Sequence, residues 1–333
     1  MTLPVPLVAL GGMLIAFVVT VLLFGPFIRL LIRLRIGQNI RAEGPQSHGR
    51  KQGTPTMGGV LVIAIVSLMT LGLYFLLPEA QQGDYVVQTL TPVLALVGVG
   101  VLGALDDYLN VIFGRGIRGR HKIVWQTILA VAGAIYIQRH FAITGIFIPL
   151  VGEWEIGAAA FIALAIIAIV GTSNGVNLAD GLDGLSGGTL IFAFMSFAFI
   201  AAARGYPFLL IFCAIVTGAV AAFLWYNVHP AEIFLGDSGA LSLGATLAVV
   251  ALTTGFALLL PLAGIIFVAV SLSVIIQVGV FKVWRRRVFR MAPLHHHFEL
   301  IGLPEEKVTI RFWLIGALAG IVAAILAFAT PLK

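Results

Sequence analysis

The sequence predicts an all-α integral membrane protein of about ten transmembrane helices, and three observations carry that reading. Of its 333 residues, 60% are hydrophobic and only 10% are charged, whereas a soluble domain carries about 25% charged residues. Several apolar segments reach about 20 residues, the length at which a helix rising 1.5 Å per residue crosses roughly 30 Å of hydrocarbon. The basic residues, finally, are segregated by loop.

The spans are expected near residues 4–34, 57–77, 89–109, 123–141, 156–174, 185–203, 207–228, 237–255, 257–283 and 308–331. An even number places both termini on one side. Assigning the loops alternately puts 17 of the 20 Lys and Arg on one side and leaves Arg139, Arg204 and Lys333 on the other. Because Lys and Arg in short loops mark the cytoplasmic side, both termini are expected at the periplasmic or extracellular face. The chain 1–333 reads as a single polytopic domain. Its start, Met1-Thr2-Leu3-Pro4, lacks a basic leader, so the first run is expected to be a retained span.

Two details qualify the topology, and the cysteine and the net charge add little to it. The stretch Ala257–Arg287 would extend about 46 Å as a straight helix, so it is expected to tilt, bend or project. Residues 142–155, rich in Gly, Pro and β-branched types, suggest a hairpin on the outer face. The single Cys213 lies in an apolar run and can form no intrachain disulfide. The net charge of +6 is explained by loop topology rather than by nucleic acid.

Polar residues at membrane edges are costly, so their positions are informative. Asp106, Asp107, Asp180, Asp183 and Asp237 all fall at or beside the cytoplasmic ends of spans, with six of the seven histidines on the same side. "LDDYLN" puts Asp106 and Asp107 about 100° apart on a helix, so they cannot occupy equivalent places. Capping or solvating a helix end is the simpler use for such a pair. In "NGVNLADGLDGL", Asn174, Asn177, Asp180 and Asp183 recur every third residue, and a helix would put Asp180 and Asp183 on one face. The glycines alone could make a turn, but a turn does not need four such side chains.

"FLGDSG" sets Asp237 at a helix N-terminus, where a cap is the commoner role, with Phe234 free to pack on lipid or to stack on a base. "PLHHHFE" holds His295, His296 and His297 beside a basic stretch. No HExxH zinc pattern accompanies them, and phosphate-facing or acid–base histidines suit the setting better. "GTPTMGG" follows Lys51 and contains Thr56, a flexible basic segment that is no Walker A loop.

In this order on successive cytoplasmic loops, "GTPTMGG", "LDDYLN", "NGVNLADGLDGL", "FLGDSG" and "PLHHHFE" resemble the phospho-N-acetylmuramoyl-pentapeptide transferase family over nearly the whole chain. The resemblance implies transfer of phospho-MurNAc-pentapeptide from its UDP carrier to undecaprenyl phosphate, with Mg²⁺, in the bacterial cytoplasmic membrane. It implies Asp237 as the metal ligand and Asp106, Asp107 and His295 in catalysis. Lys51, Thr56, Lys122, Asn177, Asp180, Gly181, Leu182, Asp183, Asn227, Phe234, His296 and His297 are implied around the nucleotide and substrate, and a homodimer is compatible with it. Two enzymes remain open on chemistry, this one and a UDP-GlcNAc:polyprenyl-phosphate transferase. A transporter fits less well, because transport carboxylates cluster near the bilayer midplane.

Overall fold

The computed structural model describes residues 4–37, 53–141, 143 and 145–331. Twelve α-helices run through them: α1 (Val5–Arg33), α2 (Gly58–Leu76), α3 (Asp84–Phe113), α4 (Gly119–Phe141), α5 (Ala158–Ala179), α6 (Leu185–Ala203), α7 (Pro207–Asn227), α8 (Gly236–Thr253), α9 (Leu260–Ala263), α10 (Ile265–Trp284), α11 (Leu294–Leu300) and α12 (Glu305–Ala329). Among the described residues, nine of these are long and apolar enough to cross a membrane. The span expected at 123–141 is α4, whose 23 residues suffice in length. It stands apart from the nine because Arg120, His121 and Lys122 begin it and Arg139 and His140 end it. The chain is a multi-pass membrane protein.

Helix α8 is the axis of the bundle and packs on α2, α3, α4, α5 and α6. Its sequence explains why it can be buried. Small residues dominate it, and its hydroxyls are satisfied within the helix: Ser242 donates to the Ser238 carbonyl at 2.6 Å, Thr246 to Ser242 at 2.7 Å and Thr253 to Val249 at 2.9 Å. Without a hydrophobic drive between helices in lipid, close backbone approach supplies the packing energy. Gly59 on α2 faces Gly239 so closely that a Cβ there would lie 2.2 Å from the Gly239 Cα. A Cβ on Gly103 of α3 would lie 2.3 Å from the Asp237 carbonyl oxygen. Larger residues at either position would push α8 off its neighbours. The outer helices α1, α10 and α12 turn Leu22, Ile275 and Leu318 outward, as lipid-facing surfaces require.

The outer-face hairpin expected at 142–155 forms as β1 (Gly145–Ile148) paired antiparallel with β2 (Gly152–Glu155), Ile146 opposite Trp154. Phe147 seats it on the bundle, donating its N–H to the Gly255 carbonyl at 3.1 Å and stacking on Phe256 at 4.9 Å. The Arg204 guanidinium lies 4.3 Å over the Phe147 ring.

The expected span at 257–283 is not one helix. A 3₁₀ turn (Ala257–Leu259) and the short α9 precede a break at Gly264, with φ −101° and ψ 30°, before α10 begins. Pro261 suits the first turn of α9 and Gly264 tolerates the break. The far end stops at Trp284, where Arg285 turns left-handed with φ 54°. The segment is bent at Gly264, which is one of the three expected outcomes.

Candidate active site

Motifs far apart in sequence are joined first by backbone. The Phe234 N–H donates to the Pro55 carbonyl at 2.8 Å, and Gly58 and Gly59 donate to the carbonyls of Phe234 and Leu235, each at 2.9 Å. The "GTPTMGG" segment thus lies along the approach to α8, bringing Thr56 and Phe234 to the same wall. Gly236, with φ 75°, makes the turn into α8, and a Cβ there would fall 2.5 Å from Asp107 Oδ2.

The centre of the site is a three-residue ionic junction. Lys122, the fourth residue of α4, donates from Nζ to Asp106 Oδ2 at 2.9 Å and also to Asp237 Oδ2. Asn177 Nδ2 donates to Asp237 Oδ1 at 2.6 Å. The Ile117 N–H reaches Asp106 Oδ1 at 2.5 Å and fixes that carboxylate's orientation. Four helices, α3, α4, α5 and α8, each supply one group. One turn deeper, Asn174 Nδ2 donates to Gln126 Oε1 at 2.6 Å, tying α5 to α4 beneath the charges.

Asp107 does something different, as its place on α3 demanded. Its Oδ1 accepts from the Asp237 N–H at 2.9 Å and its Oδ2 from the Ser238 N–H at 3.0 Å. It therefore caps the N-terminus of α8 from another helix, satisfying two of the donors a helix end leaves open. Asp237 does not cap; no side chain of its own segment does. The capping role that sequence reasoning allowed for Asp237 belongs to Asp107, 130 residues earlier. Asp107→Ala should lower stability by about 1–2 kcal/mol, the usual cost of a lost cap. Thermal denaturation in detergent measures this.

The expectation of a helix carrying Asp180 and Asp183 on one face is corrected by the structure. Helix α5 ends at Ala179, and residues 180–184 turn, with Gly184 at φ 76°, before α6 starts at Leu185. Asp180 accepts from Ser186 Oγ at 2.5 Å. Asp183 instead faces a second cluster, where its Oδ2 lies 2.9 Å from His229 Nδ1 and accepts the Ala231 N–H at 3.1 Å. Glu305 at the start of α12 accepts the Asp183 N–H at 2.6 Å, and Glu306 lies 3.4 Å from His229 Nε2. Asp183, His229 and Glu305 could together hold a metal ion.

Helix α11 brings the histidines in from the far end of the chain. His295 is fully enclosed and packs under the 180–184 turn, so that a Cβ on Gly181 would meet its Nε2 at 2.5 Å. His296 pairs with Glu299 at 2.7 Å. His297 Nδ1 accepts the Arg290 N–H at 3.2 Å, and its ring lies edge-on to Phe289 and Phe298. His297 thus ties down the basic loop. Gln277 anchors the same loop, accepting the N–H groups of Val288 and Phe289, each at 3.0 Å.

A polar cavity of about 120 Å³ opens beside the ionic junction, lined by Thr56, Asp107, Asn110, Asn177, Asp180, Phe234 and Asp237 among others. Of the expected residues, Thr56, Asp107, Asn177, Asp180, Phe234 and Asp237 line this space, and Asp106 and Lys122 adjoin it through the ionic junction. Leu182 is buried in the adjoining turn. Asn227 lies to one side with its carboxamide committed to backbone, accepting from Gly184 N at 3.0 Å and donating to the Ile233 carbonyl at 2.8 Å. Lys51 lies outside the described residues. Residue-by-residue reading missed His229, Glu305, Gln126, Asn110 and Gln277. His229, Glu305 and Gln126 have partners 46, 122 and 48 residues away, and Glu305 has the ordinary appearance of an acid in a first helical turn.

The donor set at the junction suits a hard dication. Mg²⁺ takes oxygen ligands from one or two carboxylates and keeps several waters. Asp106 and Asp237 offer carboxylate oxygens at one point, Asn177 turns its Nδ2 toward Asp237, and a cationic ammonium already lies between the two carboxylates. The Asp183 cluster includes an imidazole, a donor better matched to transition metals.

Comparison with known proteins agrees with this architecture. The Glycosyl transferase family 4 profile matches residues 89–255, the stretch from α3 through α8. The phospho-N-acetylmuramoyl-pentapeptide-transferase signature 1 matches residues 51–63. A phospho-N-acetylmuramoyl-pentapeptide-transferase of Geobacillus kaustophilus is 43% identical over 92% of this chain and 94% of its own length. The namesake from Halalkalibacterium halodurans is 41% identical over 95% and 96%, and that of Chloroflexus aurantiacus is 43% identical over 94% and 87%. With such similarity along almost its full length, this chain belongs to the phospho-N-acetylmuramoyl-pentapeptide-transferase family.

Proposed function

We propose that the chain transfers phospho-MurNAc-pentapeptide from UDP-MurNAc-pentapeptide to undecaprenyl phosphate, forming lipid I and releasing UMP in peptidoglycan synthesis. The observation that carries this reading is the Lys122 ammonium held between Asp106 and Asp237 beside a polar cavity. Phosphoryl transfer depends chiefly on positioning and on neutralising the phosphate oxygens, and this junction concentrates the groups that do both. Membership of the family supplies the identity of the sugar.

Asp237, with Asn177 and Asp106 near it, would hold Mg²⁺. When bound, the ion neutralises charge on the diphosphate of the donor. Asp106, oriented by the Ile117 N–H and Lys122, accepts the proton of the acceptor phosphate, whose oxygen attacks the sugar-linked phosphorus as UMP leaves. Lys122 stabilises the phosphate oxygens through the same donors it now gives the carboxylates. Phe234, half-buried on the cavity wall, offers a face for uracil, and Thr56, Asn177 and Asp180 offer it hydrogen bonds. An aspartate nucleophile forming a phospho-sugar enzyme is the alternative route; exchange of labelled UMP without acceptor would mark it.

The charged ends of the spans face the cytoplasm in this proposal, with both termini outside in a bacterial cytoplasmic membrane. One assay addresses donor and side together. Inside-out vesicles supplied with Mg²⁺ and UDP-MurNAc-pentapeptide should release UMP and form lipid-linked product, with UDP-GlcNAc inert. Sealed right-side-out vesicles should be silent with both. Turnover of UDP-GlcNAc would shift the assignment to the related GlcNAc-1-phosphate transfer, and activity in right-side-out vesicles would invert the topology.

A further inference from the structure

A cleft of about 310 Å³ opens toward the bilayer between α3 and α4, floored by α5 and α8. Leu94 at its mouth is 61% exposed, while Val99 and Ile169 on its floor are buried. Gly98 and Gly133 provide the room: a Cβ on either would find nothing nearer than 4.0 Å. The lining is apolar except for Thr91 and Tyr136. Both lie toward the hairpin end of the bundle, Thr91 two turns into α3 and Tyr136 in the last turns of α4.

Thr91 points to what the cleft accepts. It is 4% exposed and its Oγ1 has no hydrogen-bond partner. Other hydroxyls on these helices, such as Thr89, Thr246 and Thr253, bond the carbonyl four residues earlier. Leaving a buried hydroxyl unmade costs about 1–3 kcal/mol, so a ligand bringing an oxygen to that end of an otherwise greasy slot would be favoured. The depth is also informative. The 30 residues of α3 extend about 45 Å against roughly 30 Å of hydrocarbon, so Thr91, about 10 Å from its start, sits near the hydrocarbon boundary. Glycerol ester carbonyls occupy that boundary.

We propose that this cleft binds one acyl chain of a bilayer phospholipid from the leaflet on the hairpin side, its ester carbonyl accepting a hydrogen bond from Thr91 and its chain crossing Gly98 and Gly133. A prenyl chain has no oxygen to give Thr91 and is the poorer occupant. The bound chain would lie between the two helices that carry Asp106 and Lys122, whose cleft-lining residues Val99 and Leu129 are each two turns from those charges.

The test uses the full-length protein in phosphatidylglycerol nanodiscs doped with a phosphatidylglycerol bearing an acyl-chain diazirine, with labelled peptides mapped after illumination. Labelling of residues 94–99 and 129–136 should exceed that on the lipid-exposed Leu314–Leu318 face of α12 by about fivefold, equivalent to about 1 kcal/mol of preference. Gly98→Leu and Gly133→Leu should each bring cleft labelling down to the α12 level. Thr91→Val, which keeps the shape, should lower it about threefold, in line with one lost hydrogen bond. Unchanged α12 labelling certifies that a variant is folded, and either glycine variant suffices. Cleft labelling equal to that of α12 in the unmodified protein overturns the proposal. So does labelling insensitive to a folded glycine variant, or cross-links showing a second copy of the chain in the cleft.

Discussion

Asp237→Asn should reduce turnover by about 10³-fold, equivalent to about 4 kcal/mol of transition-state stabilisation, in protein that keeps its thermal midpoint. Asparagine has the shape of aspartate, and α8 remains capped by Asp107, so the fold has no reason to suffer. What disappears is the negative charge that holds Lys122 and Asn177 in place and that would hold the dication. Raising Mg²⁺ should recover little, because a neutral carboxamide oxygen is a weak substitute for a carboxylate toward a hard cation. Turnover within a few fold of the unmodified enzyme would remove Asp237 from the centre of the chemistry.

Lys122→Met should lower turnover by about 10²-fold, the scale seen when one preorganised charge donor is removed from a transition state, and it should do so with an unusual companion effect. The ammonium lies between Asp106 and Asp237, whose side chains are only 8% and 22% exposed. Removing it leaves two carboxylates facing each other without a counter-charge, an arrangement that attracts another cation. The Mg²⁺ concentration needed for half-maximal rate should therefore fall while kcat falls. Titrating Mg²⁺ in both proteins checks this. A higher requirement in Lys122→Met would mean that the lysine does not occupy a cation position and acts only on substrate.

Much of this was legible in the chain because hydropathy and charge are local properties. The spans, the hairpin at 145–155 and the collection of aspartates at one end all follow from residue types within short windows. The break at Gly264 was less visible, since the residues on both sides are equally apolar and a bend leaves hydropathy unchanged. Reading Asp180 and Asp183 as one helical face failed because a spacing of three suits a turn as well as a helix, and the glycines favoured the turn. The neighbours Asp106 and Asp107 were correctly expected to differ, from their azimuths alone. Which one would meet α8 and which Lys122 depends on contacts across more than a hundred residues in the first case and sixteen in the second. His229 carries no local motif at all, and its partnership with Asp183 and Glu305 exists only in the assembled bundle.

Those two clusters give the account its most direct test, because each could hold a cation and only one is assigned the reaction. Mn²⁺ binding followed by electron paramagnetic resonance, in the full-length protein with UMP present, should show a bound ion in the unmodified enzyme and in Asp183→Asn, and should lose it in Asp237→Asn. An ion retained in Asp237→Asn but lost in Asp183→Asn would place the metal at Asp183, His229 and Glu305 and contradict the assignment of the Lys122 junction as the reaction centre.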